Sequence, residues 1–222
     1  MKSAPSLEFI PTSPDLSFEV SLWEQGSEFV AGLDEAGRGA LAGPVFAAAV
    51  IFPCNPGLES HLVGVRDSKQ MTPSQREYWA EQLKIFALAW GIGAASHEEI
   101  DAVGILPATR LAMHRALEAA RVCPQHLLLD YIQLPESPIP QTALVKGDRR
   151  SLSIAAASIL AKTARDGLLR QLDKTYPEYG FASHKGYGTL AHRSALERLG
   201  PCSIHRYSFA PVRAARRKVK VG

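Results

Sequence analysis

The chain has 222 residues, of which 46% are hydrophobic and 21% charged, with a net charge of +3; that is enough apolar material for one α/β domain with an ordinary core. No run approaches the ~20 apolar residues of a membrane helix, and no basic segment with an apolar signal core opens the chain, so a cytoplasmic protein without a membrane partner is expected. Cys54, Cys123 and Cys202 are odd in number and widely spaced, which argues against a disulfide framework and against zinc, and predicts reduced, partly buried thiols.

The modest net charge hides an asymmetry. Residues 1–35 carry seven acids and one lysine, a net of −6, whereas residues 198–222 carry seven bases and no acid. Such a basic block serves nucleic acid or simply stays solvated, and charge alone favours neither. Residues 1–27 contain Pro5, Pro11, Pro14 and several serines without a sustained period, and read as a loosely ordered or draped extension.

The first buried strand is FVAGL at 29–33, short, apolar and uncharged. It ends in Asp34-Glu35, two neighbouring carboxylates that repel each other and that a divalent metal would reconcile. Gly37-Arg38-Gly39 follows, with glycines free to take positive φ on both sides of a guanidinium suited to phosphate. A plain turn with a surface arginine is the commoner meaning of a lone Gly-x-Gly; the acidic pair before it shifts the balance toward a ligand loop. Residues 44–52 form a second apolar strand, antiparallel to the first because the connection is short.

Asp67-Ser68-Lys69 precedes Thr72-Pro73, an N-cap and first-turn proline opening a helix to about Leu83. Residues 85–95 suit a third strand, Ser96 with Glu99 makes a capping box for a helix through Val103, and Pro107 starts another helix. LLL at 127–129 then repeats the first plan, a buried strand ending in an acid, Asp130. If the two strands are parallel neighbours, Asp34 and Asp130 meet at the sheet edge where ligands of α/β sheets bind. A short strand over 142–145 leads into Lys146-Gly147-Asp148, and 151–172 is a helix with a small, tightly packing face. Arg165 and Asp166 on that helix read as a structural ion pair or cap in preference to catalytic groups. His184, Lys185 and Tyr187 lie in a Gly-rich stretch, either as surface-loop residues or as a stacking platform with cations for phosphate. A last helix covers 191–199 before Gly200-Pro201.

Asp34, Glu35, Asp130 and Asp148 are hard oxygen donors with no His-Cys set nearby, which favours Mg²⁺ or Mn²⁺. Two such ions can activate water and stabilise the leaving oxygen of a phosphodiester.

DEAGRGALAGPV, beginning at Asp34, resembles the signature of the ribonuclease HII family, the type 2 ribonucleases H. DSKQMTPSQRE at 67–77, EEIDAVGILPATRLAM at 98–113, LLLDYIQLP at 127–135, KGDRRSLSIAAASILAKTARD at 146–166, HKGYGT at 184–189 and HRYSFAPV at 205–212 also resemble family blocks, in family order. The resemblance implies a ribonuclease H-like mixed β-sheet flanked by helices, with a small helical C-terminal part. It divides the chain into an extension at 1–27, a catalytic domain at 28–212 and a basic tail at 213–222. It further implies a monomeric endoribonuclease, using two Mn²⁺ or Mg²⁺ ions, that cuts the RNA strand of RNA-DNA hybrids. In DNA containing ribonucleotides it would cut on the 5′ side of a single ribonucleotide, leaving 3′-hydroxyl and 5′-phosphate ends. Asp34, Glu35, Asp130 and Asp148 correspond to the family's metal-binding carboxylates. Gly37, Arg38 and Gly39 correspond to the loop that reads the 2′-hydroxyl together with Tyr187, and Lys69, Lys146, His184 and Lys185 are the candidates for phosphate contact. The chain departs from the family at Gly104, where asparagine is common, and at Tyr131, where many members have glycine.

Overall fold

In this computed structural model residues 11–219 are described, with the side chains of the last helix described as far as Arg216. The elements in chain order are α1 (Ser17–Glu24), β1 (Val30–Ala36), β2 (Val45–Ile51), α2 (Pro73–Phe86), β3 (Ala89–Ala95), α3 (His97–Val103), α4 (Ile105–Ala120), β4 (His126–Asp130), β5 (Gln141–Leu144), α5 (Leu152–Thr175), α6 (Phe181–His184), α7 (Leu190–Leu199) and α8 (Ala210–Val219). Five strands form one mixed sheet in the order β3-β2-β1-β4-β5. The β1–β2 and β2–β3 pairs are antiparallel, and β1–β4 and β4–β5 are parallel. This is the mixed sheet flanked by helices that the sequence led us to expect.

Small residues set the layer spacing. A side chain added at Gly91 or Gly93 on β3 would start 2.1 Å from the Ala116 carbonyl oxygen or 2.2 Å from that of Ala112, so α4 lies close against this part of the sheet. At Gly32 on β1 an added Cβ would start 2.2 Å from the Ser153 carbonyl carbon, so the N-terminus of α5 is seated on β1. One core fills the space between the sheet, α5 and α2, including Val50, Leu83, Ile159 and Leu160. A second lies under α4, with Leu33, Ile51, Met113 and Leu129.

Several boundaries differ from the sequence reading. Residues 17–24 form a helix inside the segment expected to be loose. Glu19 explains it, for its buried Oε1 accepts hydrogen bonds from Ser151 Oγ at 2.6 Å and Ser153 N at 2.9 Å. A carboxylate here faces the orphan amides and positive end of α5; burial nevertheless pushes its pKa up, against the Ser151 and Ser153 hydrogen bonds. What the sequence suggested for residues 1–10 lies outside the described residues. Helix α2 runs on to Phe86, so β3 begins at Ala89. Helix α4 begins at Ile105, with Pro107 inside its first turn, where a missing amide is harmless. Helix α5 continues to Thr175. Cys54 and Cys123 are exposed and Cys202 is half-buried, and all three are free thiols, so only the last fits the expected partial burial. The basic stretch from 210 to 219 is helical, seating Val212 and Ala215 against Leu41 and Leu196.

Candidate active site

The parallel pairing of β1 with β4 puts Leu33 beside Leu129. Each strand continues into an acid, so Asp34 and Asp130 leave the sheet side by side. Asp148 reaches the same point from the turn after β5, and the Gly147 amide in that turn donates to Asp130 Oδ1 at 2.8 Å. One carboxylate oxygen from each of Asp34, Asp130 and Asp148 lies within 4.8 Å of the others.

Three acids this close, two of them 3% exposed, repel one another in a poorly hydrated place. The pKa of Asp34 is raised well above the usual carboxylate range, first by burial, then by the charges of Glu35, Asp130 and Asp148. Burial is also the main cause that raises Asp130 and Asp148. Lys69 Nζ approaches Asp148 Oδ2 at 3.1 Å and Asp67 Oδ1 at 3.7 Å. Burial works to lower the Lys69 pKa, but Asp148 and Asp34 more than offset it and hold the ammonium charged. One lysine leaves most of the negative charge uncompensated. An all-carboxylate donor set converging in this way fits a hard divalent cation such as Mg²⁺ or Mn²⁺.

Glu35 stands apart from the other three acids. Its Oε1 accepts from Arg38 Nη1 at 3.2 Å, while Oε2 is buried with no hydrogen-bond partner among the described residues. Burial raises its pKa and Arg38 works against the rise. The four-acid set of the sequence thus divides into a convergent three and a flanking fourth, whose unsatisfied oxygen faces the same need for a cation.

Asp34, Glu35 and Asp130 line a cleft of about 510 Å³ together with Gly37, Arg38, Gly39, Lys69, Lys162 and Tyr187. The loop after β1 owes its shape to two buried arginines. Arg165 on α5 donates to the carbonyls of Pro44 at 3.0 Å, Lys185 at 2.9 Å and Ala42 at 3.1 Å. Arg206 donates to the carbonyls of Gly43 at 2.9 Å and Arg38 at 2.8 Å. Its pKa is pushed down to about 9 by burial and then by Arg165. With those carbonyls turned inward, the amides of Arg38 and Gly39 donate to no backbone acceptor among the described residues and remain free for a ligand. Gly37 takes φ +98°, and a Cβ there would lie 2.0 Å from Arg165 Nε; Gly39 does not adopt positive φ, so one glycine of the pair carries the turn.

Tyr187 closes the cleft on the same side. It bridges to Ala40, and Leu41 N donates to Gly186 O at 2.8 Å. Its ring has Lys162 Nζ at 5.3 Å and Arg165 Cζ at 5.4 Å. Its carbonyl accepts from His192 Nδ1 at 3.0 Å. His192 Nε2 then accepts from His205 Nε2 at 3.0 Å, and His205 Nδ1 accepts from Cys202 N at 3.0 Å, an order that requires both imidazoles to be neutral. Burial pushes each of these histidines down to about 4.

The remaining expected contacts divide. Lys69 lines the cleft, and Lys146 is exposed beside Asp148 with φ +55°. His184 has both nitrogens engaged, with Tyr179 O at 2.7 Å and Gly186 N at 3.1 Å, so it shapes the loop and does not reach outward. Lys185 Nζ donates to the Ala182 carbonyl. Arg165 and Asp166 do not pair with each other. Asp166 instead accepts from Arg76 Nη2 at 3.3 Å and Lys162 Nζ at 2.7 Å. Arg76 also donates to Ser68 O at 3.0 Å, tying the 67–69 segment to α5. Arg76, Lys162, His192, His205 and Arg206 were not singled out by the sequence. Their positions carry no periodic signal, and only the contacts they make in the folded chain reveal a role.

Residues 31–212 match the family model for Ribonuclease HII. A ribonuclease HII of Synechococcus is 57% identical over 200 residues, covering 90% of this chain and 90% of that protein. One of Desulfitobacterium hafniense is 53% identical over 194 residues, covering 87% of this chain and 73% of that protein. Among solved structures, the ribonuclease H2 of Pyrococcus horikoshii superposes with a TM-score of 0.71 at 26% identity, covering 87% of this chain and 100% of that chain.

Proposed function

The chain belongs to the ribonuclease HII family, metal-dependent endoribonucleases that cleave the RNA strand of RNA-DNA hybrids, and from that premise we propose that it also incises duplex DNA on the 5′ side of a single ribonucleotide. The products would be 3′-hydroxyl and 5′-phosphate ends, and the reaction would serve removal of misincorporated ribonucleotides. The observation that carries this reading is that Asp34 and Asp130 open into one cleft with the Gly37–Gly39 loop and Tyr187. A phosphate at the acids therefore has its sugar within reach of free backbone amides, the groups suited to a 2′-hydroxyl.

Asp34, Asp130 and Asp148, with Glu35 beside them, are the residues that would hold two divalent ions. Bound there, Mg²⁺ or Mn²⁺ supplies an activated water and charge stabilisation at the leaving oxygen. The chain's own groups do the rest. Arg38 and Lys69 bring positive charge to the scissile phosphate. The amides of Arg38 and Gly39 receive the ribose, and the Tyr187 ring packs on the sugar against Lys162 and Arg165. Lys146, exposed beside Asp148, is placed for a neighbouring phosphate.

The test is a DNA duplex carrying one ribonucleotide, incubated with Mg²⁺ or Mn²⁺, against an all-DNA control and an Asp34→Asn variant. Incision only at the ribonucleotide, lost in the variant, is the expected result. Incision of the all-DNA control would remove the reader role of the 37–39 loop.

A further inference from the structure

The cleft accounts for one side of the acids. On the other side lies Tyr131, the residue after Asp130, which is 70% exposed and takes φ +66°. Its conformation is tight as well as left-handed. The Ile132 amide donates to the Asp130 carbonyl at 2.7 Å, closing a three-residue turn with Tyr131 at its centre. A turn closed this way around a residue of positive φ is the rare and strained form of the γ-turn, and a large aromatic residue is a poor choice for it. The Tyr131 amide is held by Leu129 O and Leu144 O, each at 3.1 Å, so the turn is fixed to the ends of β4 and β5.

Across the β4–β5 pair, where Asp130 stands beside Leu144, the next residue on β5's side is Val145, 62% exposed. Lys146 follows with φ +55°. Among the described residues only four that are not glycine take positive φ, and Tyr131, Lys146 and Lys185 are three of them. The chain thus keeps an apolar side chain, an aromatic ring and a cation in solvent at the β4–β5 side of the acids, with two of those residues in conformations that disfavour them. Strain retained beside a reactive centre points to use.

We infer that Tyr131, flanked by Val145 and Lys146, is a stacking platform for a base of the cleaved strand. The sheet order fixes which base. The reader loop leaves β1 on the β2 side, and Tyr131 leaves β4 on the β5 side, so the acids lie between them. A strand whose ribose is read in the cleft must continue past the acids over β4 and β5. This step rests on the reading that incision falls on the 5′ side of the read ribonucleotide, which places the platform under the base immediately 5′ of the cut. A ring stacks on any base, so the platform holds the strand without reading its sequence, and Lys146 takes the adjoining phosphate.

The experiment places 2-aminopurine, one position at a time, on either side of the ribonucleotide in a duplex and follows its quenching on binding, with metal withheld. Quenching is expected at the base 5′ of the cut, kept in Tyr131→Phe and lost in Tyr131→Ala. With metal present, Tyr131→Ala should raise KM by about 5- to 150-fold, the range of one base-aromatic stack, and far more than it lowers kcat. Tyr131→Gly should lose the same quenching while gaining about 2–4 °C in Tm by release of the turn. Quenching at that base unchanged in Tyr131→Ala would overturn the platform, as would quenching confined to the 3′ side. If the wild type shows the Tyr131-dependent quenching but cuts nothing when metal is added, the platform stands and the incision reading falls.

Discussion

The two halves of the cleft are built in opposite ways. Asp34 and Asp130 sit at the ends of paired strands, and Asp148 joins them from the short turn after β5. The reader proposed for the ribose is made of two irregular segments, 37–44 and 184–189, whose shape is imposed by groups far away in sequence. Arg165 reaches Ala42 across 123 positions, and Arg206 reaches Arg38 across 168. A strand end places a side chain through backbone pairing that any apolar sequence of the right length provides. A loop has no such pairing, and rigidity must come from buried donors that each satisfy several carbonyls. The acids should therefore tolerate changes around them but not in them, whereas the reader should fail when its distant supports are changed.

Replacing Asp34 by asparagine gives the largest effect on activity. Loss of groups that merely orient metal ligands lowers metal affinity or activity about 10- to 100-fold, and a direct ligand should exceed that. The same change removes one of three repelling acids, so the metal-free protein should melt higher while metal no longer raises its Tm. Calorimetry with and without Mg²⁺ checks both signs together; a variant that melts lower without metal would mean that Asp34 is held by something other than its fellow acids.

Next comes Arg165→Met, which leaves the carbonyls of Pro44, Lys185 and Ala42 without their donor. An orphaned buried acceptor costs roughly 1–3 kcal/mol, and of the three contacts the one to Ala42 is fully buried while the other two are part-buried, so a loss of about 2–3 kcal/mol is expected by denaturant unfolding. Arg165→Lys should not rescue it, because an ammonium cannot fork to three carbonyls in one plane. The acids would remain in place, so Mg²⁺ binding should survive in whatever folds. Gly37→Ala is the milder test of the same half. A Cβ in the left-handed region costs about 1–2 kcal/mol, and here it also meets Arg165. Cleavage at a ribonucleotide should fall while metal binding stays, and a variant that keeps full discrimination against all-DNA duplex would show that the loop does not read the sugar.

This division also explains what could be read from the sequence. Asp34 and Asp130 were legible because a short apolar run ending in an acid has a local meaning, and the parallel pairing that unites them is a rule of α/β sheets. The capping boxes at Thr72 and Ser96 were legible for the same local reason. Helix α1 was not, since its anchor is the contact of Glu19 with Ser151 and Ser153, more than a hundred positions away. Arg165 looked like an ion-pair partner for its neighbour Asp166. On a helix, adjacent residues point apart: Arg165 found its acceptors in the 42–44 and 185 segments, and Asp166 pairs with Lys162 one turn back on α5 and with Arg76 on α2.

The last expected effect, absent at neutral pH, concerns the His192–His205 pair behind Tyr187. Both are fully buried, and both are pushed down to about 4, first by burial. An unfolded histidine titrates near 6.5. Above that pH both states are neutral and the pair's contribution is complete. As pH falls below ~6.5 the unfolded chain takes up protons that the native pair refuses, so stability drops by up to ~1.4 kcal/mol per pH unit for each histidine until about pH 4. The raised pKa values of Asp34, Asp130 and Asp148 act in the opposite direction in metal-free protein, because there the native state binds protons first. A melting curve alone would mix the two trends. Side-chain NMR separates them: the imidazoles of His192 and His205 should stay neutral at pH 5.5, with His205 carrying its proton on Nε2 and His192 on Nδ1. The pH dependence of ribonucleotide discrimination should then follow their titration near 4. Titration of either ring near 6.5 would mean that the hydrogen-bonded chain from Cys202 to Tyr187 does not hold the reader in place.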